Sequence, residues 1–547
     1  MRFAAPLFGL LLAAPAPALA CGGFFCGNQP VDQQAERIVF AVAEDHTDMV
    51  VQIAYRGSAS EFAWVLPLGF VPDPESLGTF SPLALNRLDA ATAPIFVRPE
   101  DGECGGVLLN GGGSDADTPG VTVHLERVVG PYEVAVVEGD DAAQLVTWLR
   151  DHDYRITDRM LPYVQTYVDE GMKLLALRLT SVAGVEDIEP FRLRMPGTTP
   201  SIPIRLTAIA AEPEMGVLVF VFADRRYGPA NWSELEIDPA TIRYESHAWP
   251  AETDYLARVA RAADELGGTA FVTESAGPTR PLLEQVQSTV PRDDDERRAL
   301  RDLAELLGAH PYMTRMYARL SPDEMTVDPM FSPHGGSDVP REVALSRYVD
   351  GEDMCAGGGL RACHYELCGN GECTNVRADG FSRELAGCDC VDGTVARASF
   401  GPLGDVTVAC VRPEGSVIGP GDEEGLGDPC DAYDCGAGAC VPVNMTPTCD
   451  CDDGAIAVGY RETDGRRITR CVGPDDLVVV PEPPPPAPPP STGVDAGTTR
   501  EPHPRPGALS PGVTPAGGGC ACEVGATGGG PAAWLLALAA LGLRRRP

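Results

Sequence analysis

Basic residues are scarce in this chain of 547 residues. Lys and Arg together number 42, whereas Asp and Glu number 79, which gives a formal net charge of -37 at pH 7. A surface that binds nucleic acid has to neutralise phosphate groups with Lys and Arg side chains. The composition therefore argues against a nucleic acid partner.

The signature motifs of common enzyme classes are also lacking. The sequence contains no H-E-x-x-H, no G-x-S-x-G, no G-x-x-x-x-G-K and no G-x-G-x-x-G after a predicted strand. Metalloproteases, serine hydrolases of the nucleophile-elbow type and nucleotide-binding proteins depend on these patterns. Any active site would have to be assembled from residues that lie far apart in the chain.

Glycine and proline, in contrast, are abundant. Gly numbers 61 and Pro 51, so the two make up 112 of the 547 residues, about a fifth of the chain. Segments this rich in Gly and Pro do not build an ordinary packed core. We therefore expect one medium-sized folded domain accompanied by several special segments.

The N-terminus has the pattern of a secretory signal peptide over residues 1–20. Arg2 precedes an apolar run at residues 8–14, and Ala18-Leu19-Ala20 stands immediately before Cys21. A charged start, a short apolar stretch and an A-x-A exit are typical of such peptides. The sequence predicts export, and export favours oxidised cysteines. Lipidation of Cys21 remains an open alternative.

The C-terminus carries a second apolar segment. Residues 524–543 contain no charge and are followed by Arg544, Arg545 and Arg546. Twenty helical residues at about 1.5 Å each just span a hydrocarbon core of roughly 30 Å, and flanking arginines stay cytoplasmic. The pattern predicts a transmembrane helix over residues 524–543.

The segment before this helix contains Gly518-Gly519-Cys520. A Gly-Cys motif, a short apolar helix and terminal arginines, in this order, resemble the myxobacterial C-terminal sorting signal called MYXO-CTERM, here over residues 518–547. The resemblance implies processing near Cys520 and attachment of the product to the cell surface. A plain membrane anchor is the alternative. Residues 473–517 are rich in Pro and Gly, which predicts a disordered stalk with a polyproline stretch.

Two sets of six cysteines repeat one spacing. Both follow C-x4-C-x4-C-x(n)-C-x-C-x19-C, with n equal to 14 and 8, and leave fifteen pairings open in each set. The sets are Cys363, Cys368, Cys373, Cys388, Cys390 and Cys410, and Cys430, Cys435, Cys440, Cys449, Cys451 and Cys471. They resemble two epidermal-growth-factor-like (EGF-like) modules, at residues 355–411 and 428–472. The resemblance implies a disulfide framework that pairs first with third, second with fourth and fifth with sixth cysteine.

Metal binding is the competing use of clustered cysteines. Zinc sites favour closely spaced C-x2-C pairs and reduced thiols, and neither is expected here. Calcium remains an alternative, because Asp350, Glu352 and Asp353, or residues 422–424, supply carboxylates just ahead of a cysteine. We otherwise expect no cofactor.

Four more cysteines accompany the domain at residues 21–348, and two belong to the sorting signal. The four are Cys21, Cys26, Cys104 and Cys355. We expect them to pair with one another if Cys21 is not lipidated, with Cys104 in one of the disulfides.

Residues 21–348 are predicted to form an α+β domain with a largely antiparallel β-sheet and packed helices. Apolar residues at i, i+3 and i+4 predict helices around residues 145–149, 256–263 and 300–307. The predicted strands cluster instead of alternating with helices. They are a three-stranded meander at residues 38–42, 49–55 and 62–66, and further strands at residues 121–128, 133–137, 174–179, 191–195, 204–209 and 217–222.

Several segments of this domain resemble a bacterial family. They are Cys21-Gly-Gly-Phe-Phe-Cys26, residues 30–40, residues 52–67 with Phe62-Ala63-Trp64-Val65-Leu66-Pro67, and residues 314–331 with Thr314-Arg315-Met316-Tyr317. The family is called domain of unknown function 2330, and the resemblance covers about 300 residues. It implies an exported domain without an assigned activity, so no catalytic residue is carried over.

The histidines of the domain offer no catalytic pattern, because they are spread singly and suit surface or capping positions. They include His46, His124, His152, His247, His310 and His334.

Carboxylates offer weak candidates. Glu61 lies near Trp64, as a sugar-cleaving site requires, but also suits an ordinary strand end. Asp323, Glu324 and Asp328 follow Ser321-Pro322, where serine caps a helix and acids favour its first turn. Asp115 and Asp117 lie in a Gly-rich loop that suits a loop tip or a calcium ligand.

Two functions from different classes remain. The preferred prediction is an exported, non-catalytic binding or structural protein, anchored at the cell surface or outer membrane, with an unknown protein or glycan partner. The other predicted partners are the machinery for export and C-terminal processing, and the membrane, which the C-terminal helix would enter. The alternative is an exported hydrolase with a dispersed carboxylate or histidine site in residues 21–348. Convergence of such groups in a deep pocket would favour the hydrolase.

Overall fold

The computed structural model of the chain describes most residues between 33 and 479. The described residues are 33–53, 64–99, 125–152, 154, 160–180, 188–208, 211–245, 252–356, 359–365, 368–369, 371–378, 385–400, 406–412, 430, 433–443, 446–461 and 467–479. The chain divides into two compact units, residues 1–486 and 487–547, and all described residues belong to the first.

The predicted signal peptide, the C-terminal helix and Cys520 lie outside the described residues. Within the described part of the chain, no helix combines the length and the apolar character needed to cross a membrane.

The large domain, through Asp353, contains both helices and strands. Its strands are β1 Gln33–Val42, β2 His46–Ile53, β3 Trp64–Leu68, β4 Gly78–Thr79, β5 Ile95–Val97, β6 Leu125–Val129, β7 Tyr132–Val137, β8 Lys173–Leu179, β9 Phe191–Pro196, β10 Ala211–Ala223, β11 Tyr227–Pro229, β12 Ser233–Leu235, β13 Ala270–Pro278, β14 Tyr312–Leu320, β15 Phe331–Pro333, β16 Glu342–Ala344, β17 Tyr348–Val349 and β18 Glu352–Asp353. Its helices are α1 Pro82–Thr92, α2 Ala142–Asp151, α3 Leu161–Asp169, α4 Ile204–Thr207, α5 Tyr255–Asp264, α6 Arg280–Ser288 and α7 Asp294–Ala309.

An eight-stranded sheet with the order β12-β13-β14-β10-β1-β2-β9-β4 forms the centre of the domain. Its pairings are antiparallel except for β1 with β10 and β12 with β13, so the predicted α+β class with a largely antiparallel sheet is confirmed. The sequence explains the central place of β10, because every side chain from Val217 to Phe222 is apolar and buried.

A second sheet, with the order β3-β8-β7-β6, shares the largest apolar core with one face of the central sheet. Side chains such as Ile38 and Met316 from the central sheet and Val136 and Leu175 from the second sheet belong to this core. On the other face of the central sheet, α1 and α7 cover Phe220 and Phe222, and α5 covers a smaller core with Val272.

Capping residues explain where the covering helices begin. The Ser81 hydroxyl accepts a hydrogen bond from the Ala84 N–H at 3.3 Å, and Pro82 occupies the first position of α1. The Asp293 carboxylate accepts the Glu296 N–H at 2.8 Å at the start of α7, and three acidic residues follow in its first turn.

Two predictions about local structure are wrong. The predicted meander does not form, because Trp64–Leu68 is buried at every position and pairs with β8 in the second sheet instead of with β2. The predicted strand at residues 204–209 begins as the short helix α4. There the Asp328 carboxylate accepts the Arg205 N–H at 3.1 Å and caps the first turn.

The cysteine-rich region follows the large domain and is built of hairpins. Its elements are α8 Ala362–Tyr365, β19 Gly371–Ala378, β20 Leu385–Cys390, β21 Val395–Phe400, β22 Val406–Val411, β23 Gly438–Val443, β24 Thr446–Cys451, β25 Ile456–Arg461, β26 Arg467–Val472 and β27 Leu477–Val479. The Arg261 guanidinium of α5 donates to the Cys363 carbonyl at 2.6 Å, which ties α8 to the large domain.

The two cysteine repeats exchange hairpins. One sheet has the order β26-β25-β20-β19-β27 and the other β22-β21-β24-β23, so each sheet joins one hairpin from each repeat. Cys388 faces Ala457, and Cys449 faces Ala396. These are equivalent positions, since Cys388 and Cys449 are the fourth cysteines of their repeats. The repeats therefore form one approximately twofold-symmetric body.

Six disulfides cross-link this body, and their pairing is the one that the EGF-like resemblance implies. They join Cys363 to Cys373, Cys368 to Cys388, Cys390 to Cys410, Cys430 to Cys440, Cys435 to Cys449 and Cys451 to Cys471. The fifth cysteine of each repeat lies in one sheet and the sixth in the other, so the bonds between them connect the two sheets.

The expected pairing of the remaining cysteines is wrong for Cys355. This residue is a free thiol, with its sulfur 3.6 Å from the Tyr244 hydroxyl. Cys21, Cys26 and Cys104 lie outside the described residues.

Candidate functional site

The central strand β14 carries charged residues on one of its faces. Met316, Ala318 and Leu320 belong to the core between the two sheets, whereas the alternating residues Arg315 and Arg319 lie on the face covered by helices. Both arginines are about 6% exposed. Burying a charged side chain costs free energy unless the charge is paired and hydrogen-bonded. Arg315 and Arg319 therefore need partners within the domain.

Arg315 is fully engaged by acidic residues from two elements. Its Nε donates to Glu274 Oε2 at 2.6 Å, and its Nη1 donates to Asp89 Oδ1 at 2.7 Å. The Tyr255 hydroxyl donates to Glu274 Oε1 at 3.1 Å. Burial and the Glu274 carboxylate raise the pKa of Tyr255, which keeps the hydroxyl protonated. We call Arg315, Glu274, Asp89 and Tyr255 the Arg315 network.

A second group of charges, which we call the acidic cluster, surrounds the other end of the strand. It comprises Glu214 of β10, Asp264 at the end of α5, and Asp323 and Glu324 of the 3-10 turn Pro322–Glu324. Asp264 and Glu324 share a hydrogen bond, and Glu214 Oε1 accepts one from the Ser321 hydroxyl at 3.1 Å. A hydrogen bond between two carboxyl groups requires a proton on one of them.

Burial and mutual repulsion keep protons on the acidic cluster. Burial, followed by the charges of Glu214 and Glu324, raises the pKa of Asp264 to about 9. Burial and Glu214 raise the pKa of Glu324 to about 7, and burial also raises the pKa of Glu214. Asp264 is in addition the last residue of α5, where the helix dipole disfavours negative charge.

The backbone around the acidic cluster is strained. Glu214 has a φ of 59°, a left-handed conformation that non-glycine residues rarely adopt. Gly268 has a φ of 78°, and a Cβ atom at this position would lie 2.3 Å from the Glu324 Cβ, so only glycine fits. Glu214 is 6% exposed, and its Oε2 has no hydrogen-bond partner, nor has Nη1 of Arg319. Such strain and unpaired groups are typical of functional sites.

A comparison with protein-family models matches residues 15–332 to the family described as "Uncharacterized protein conserved in bacteria (DUF2330)". The match covers 318 of the 547 residues. The chain belongs to the DUF2330 family. The matched part of this DUF2330 protein contains both the Arg315 network and the acidic cluster, and it ends before the cysteine repeats. No curated protein and no solved structure matches the chain.

Two of the histidines singled out in the sequence, His46 and His310, lie within electrostatic reach of each other in the described part of the DUF2330 domain. His46 lies 2.7 Å from Asp45 Oδ1, and its charge acts on His310, whose pKa is lowered mainly by burial. His152 stacks on Trp148, and His334 lies 3.5 Å from Glu234 Oε2. His124 and His247 lie outside the described residues.

Of the predicted carboxylates, Asp323 and Glu324 belong to the acidic cluster. Ser321 caps their turn as expected, but the turn is a short 3-10 helix. Asp328 lies apart, where it accepts hydrogen bonds from the Tyr167 hydroxyl at 2.9 Å and from the Arg205 guanidinium at 2.8 Å. Glu61, Asp115 and Asp117 lie outside the described residues.

Sequence reasoning missed Glu214, Asp264 and Arg319. The sequence contains a signal for Asp264 and one for Arg319, and none for Glu214. An acidic residue ends the predicted helix that contains Leu256 and Ala263, where a basic residue is favoured. The run Met313 to Leu320 alternates apolar residues with Arg315, Tyr317 and Arg319, which marks one face of a strand as polar.

The candidate calcium ligands are engaged by arginines. Asp350 and Glu352 contact the Arg243 guanidinium at 3.2 and 2.6 Å, and Asp353 binds Arg347. Residues 422–424 lie outside the described residues. In the described part of the chain, no three His, Cys, Asp or Glu side chains are arranged to hold a metal ion.

A cavity of about 260 Å³ lies elsewhere in the domain, between α1, α6 and α7. Apolar side chains such as Leu88, Leu282, Val286, Leu303 and Leu307 line most of it. The residues of the acidic cluster are not among those that line this cavity, so the carboxylates converge without entering it.

The raised pKa values predict how stability depends on pH. Asp264 titrates at 3.8 in its unperturbed state and at about 9 in the fold. Its contribution to the free energy of unfolding is therefore fully present below about pH 4 and is lost as the pH rises to about 9. We expect thermal stability to fall between about pH 7 and pH 9, above the range in which the buried histidines titrate.

The matched variants are Asp264→Asn, which preserves shape and removes the titration, and Asp140→Asn, which removes an exposed carboxylate. The fall in melting temperature from about pH 7 to pH 9 should shrink in Asp264→Asn and persist in Asp140→Asn. Equal pH dependence in both variants would show that Asp264 does not titrate in this way.

Proposed function

We propose that the protein is an exported, non-catalytic binding protein that is anchored at the cell surface. The observation that carries the proposal is the set of six disulfides in two repeats of the same pairing. Disulfides of this density form and persist in oxidising, exported locations. They agree with the signal peptide predicted for residues 1–20.

We interpret the cysteine repeats as EGF-like modules that act as a spacer. Their pairing of first with third, second with fourth and fifth with sixth cysteine supports this interpretation. Their exchanged hairpins make the spacer a single body. The Pro-rich linker and a MYXO-CTERM signal, processed near Cys520, then hold the protein at the surface.

In this proposal the DUF2330 domain carries the binding surface for a protein or glycan. The Arg315 network supports a structural role for the charges beneath α1, because each of its carboxylates already accepts hydrogen bonds within the domain. Binding then falls to groups nearer the surface, such as the half-buried Asp264, Asp323 and Glu324.

The proposal predicts both surface exposure and C-terminal processing. Protease added to intact cells should digest the DUF2330 domain, and mass spectrometry of the mature surface fraction should find no C-terminal peptide that extends through Leu543. Replacement of Cys520 by Ala should leave export intact and abolish processing or surface retention. An intact C-terminal peptide in the surface fraction would instead indicate a plain membrane anchor, and protection of the domain from protease would contradict surface exposure.

One observation favours the alternative of an exported hydrolase. Asp264 retains a proton at neutral pH beside Glu324, and an acid and a base with separated pKa values are what general acid-base catalysis requires. The test is hydrolysis of a peptide or glycoside by the purified protein. Activity that is lost in Asp264→Asn and kept in Asp140→Asn would support the hydrolase.

A further inference from the structure

We propose that the cavity between α1, α6 and α7 is a binding site for a medium-chain aliphatic carboxylate, the class to which octanoate belongs. The aliphatic chain fills the apolar part of the cavity, and the carboxylate accepts a hydrogen bond from the Arg87 guanidinium. This assigns a small-molecule ligand to the DUF2330 domain, and it does not depend on the proposed function at the cell surface.

One end of the cavity is polar and open to solvent. Arg87, Gln285 and Thr289 are its polar lining residues. The Arg87 guanidinium donates to the Glu296 carboxylate in the first turn of α7, which places Arg87 at the start of that helix. Gln285 and Thr289 lie at the end of α6, just before the short connection to α7. Gln285 is exposed, so a ligand can enter at this end.

The other end of the cavity is closed by aliphatic side chains. The Thr279 hydroxyl, at the start of α6, donates to the Leu307 carbonyl at 3.2 Å, so Leu282 lies beside the end of α7. Leu303 and Leu307 are buried there. Among the described residues, the apolar lining consists of Leu, Val and Ala, and no acidic side chain lines the cavity. A lining of this kind takes an apolar chain and leaves its orientation to the few polar groups.

Arg87 carries a hydrogen-bond donor that no described residue uses. Its Nε is buried and has no partner, whereas its Nη2 donates to Glu296. The buried Glu296 carboxylate also binds the Arg292 guanidinium at 3.0 Å, so one carboxylate faces two cations. A ligand carboxylate would accept the Nε–H in a charge-assisted hydrogen bond and balance the second positive charge.

The volume of the cavity sets the length of the ligand. The cavity measures about 260 Å³. An apolar cavity of about 150 Å³ binds benzene, and in proportion this one takes about ten non-hydrogen atoms, as in octanoate. The apolar side chains Leu282, Leu283 and Val286 of α6 are only partly buried, so a chain in the cavity would cover them further.

The probe is sodium octanoate, titrated into the full mature protein and followed by calorimetry. Affinity should rise by about fourfold for each methylene from butanoate to octanoate, because each added group is buried. It should stop rising beyond decanoate, when the cavity is full. 1-Octanol, which has a similar chain and no charge, should bind at least about tenfold more weakly than octanoate.

Arg87→Met tests the carboxylate contact. It should weaken octanoate binding by about tenfold or more and leave octanol binding within about threefold, because only the charged headgroup loses its donor. Arg292→Met is the matched control, since Arg292 also binds Glu296 but does not line the cavity. It should change octanoate affinity by less than about threefold.

Ala91→Leu tests the cavity without removing a charge. Ala91 lines the cavity, so the larger side chain should occupy the space of the ligand and weaken octanoate binding by about tenfold or more. Ala143→Leu makes the same change at an exposed position of α2 and should leave the affinity unchanged. This pair decides the outcome if Arg87→Met fails to fold.

Hydrogen exchange locates the ligand. Amide hydrogens of α6 should exchange more slowly when octanoate is bound. Equal octanoate affinity of Ala91→Leu and Ala143→Leu, or slower exchange confined to segments outside α1, α6 and α7, would overturn the proposal. So would octanol that binds as tightly as octanoate, because the site would then not select a carboxylate. Proteolysis of intact cells tests surface location separately from all of these results.

Discussion

Replacement of Arg315 by Met is expected to lower the free energy of unfolding of the DUF2330 domain by about 3–5 kcal/mol, the cost of removing one partner of a buried ion pair. The side chains of Arg315 and Glu274 are 7% and 3% exposed, so the Glu274 carboxylate would remain buried without its cation. Urea denaturation, followed by tryptophan fluorescence, measures the change.

Arg280→Met is the matched control. Arg280 forms an ion pair with Glu284 on the surface of α6, with both side chains largely exposed, and its loss should leave the free energy of unfolding nearly unchanged. A double variant, Arg315→Met with Glu274→Gln, should recover part of the lost stability, because it removes the uncompensated charge. Equal effects of Arg315→Met and Arg280→Met would show that the Arg315 network contributes little.

Removal of one disulfide in the second cysteine repeat is expected to destabilise the first repeat as well. The double variant Cys451→Ala/Cys471→Ala should lose about 2–5 kcal/mol. The hairpin β25–β26 of the second repeat pairs with β20 of the first, so amide hydrogens of β19 and β20 should exchange faster than in the unchanged protein. Hydrogen exchange with mass spectrometry resolves these segments.

The repeats as a pair, from about residue 357 to residue 473, should fold alone under oxidising conditions and unfold in reductant. Slow exchange in β19 and β20 of the double variant would mean that the repeats are independent in spite of their shared sheets. If the pair instead stayed folded in reductant and unfolded in a chelator, a bound metal and not the disulfides would stabilise it.

The fold class was predictable from the sequence because it depends on local periodicity. The i, i+3, i+4 patterns around Leu145, Leu256 and Leu300 each mark a helix, and continuous apolar runs mark buried strands. Local periodicity does not predict which strands pair with each other. Nothing local distinguishes pairing of Trp64–Leu68 with β2 from pairing with β8, which lies more than a hundred residues later.

The candidate site could not be predicted for the same reason, because its members come from β10, α5, β14 and the following turn, which are distant in sequence. The sequence points only to Asp323 and Glu324, which follow a capping motif. The raised pKa of Asp264 arises from burial and then from carboxylates that are distant in sequence, so no motif encodes it. In the cysteine region, spacing indicated the disulfide framework, but hairpin exchange between the repeats leaves no trace in the spacing.

The pairing of β27 with β19 governs how the cysteine region responds to a mechanical load. Val479 pairs with Val376, and Leu477 pairs with Ala378, so the last strand runs back toward the start of the first strand. A pull on the chain beyond Val479 therefore opens this ladder one hydrogen bond at a time and releases the eight residues that follow Cys471, about 26–29 Å of extended chain at roughly 3.3–3.6 Å per residue. Covalent cross-links then carry the force. The region would act as a short extensible segment with a fixed maximum length.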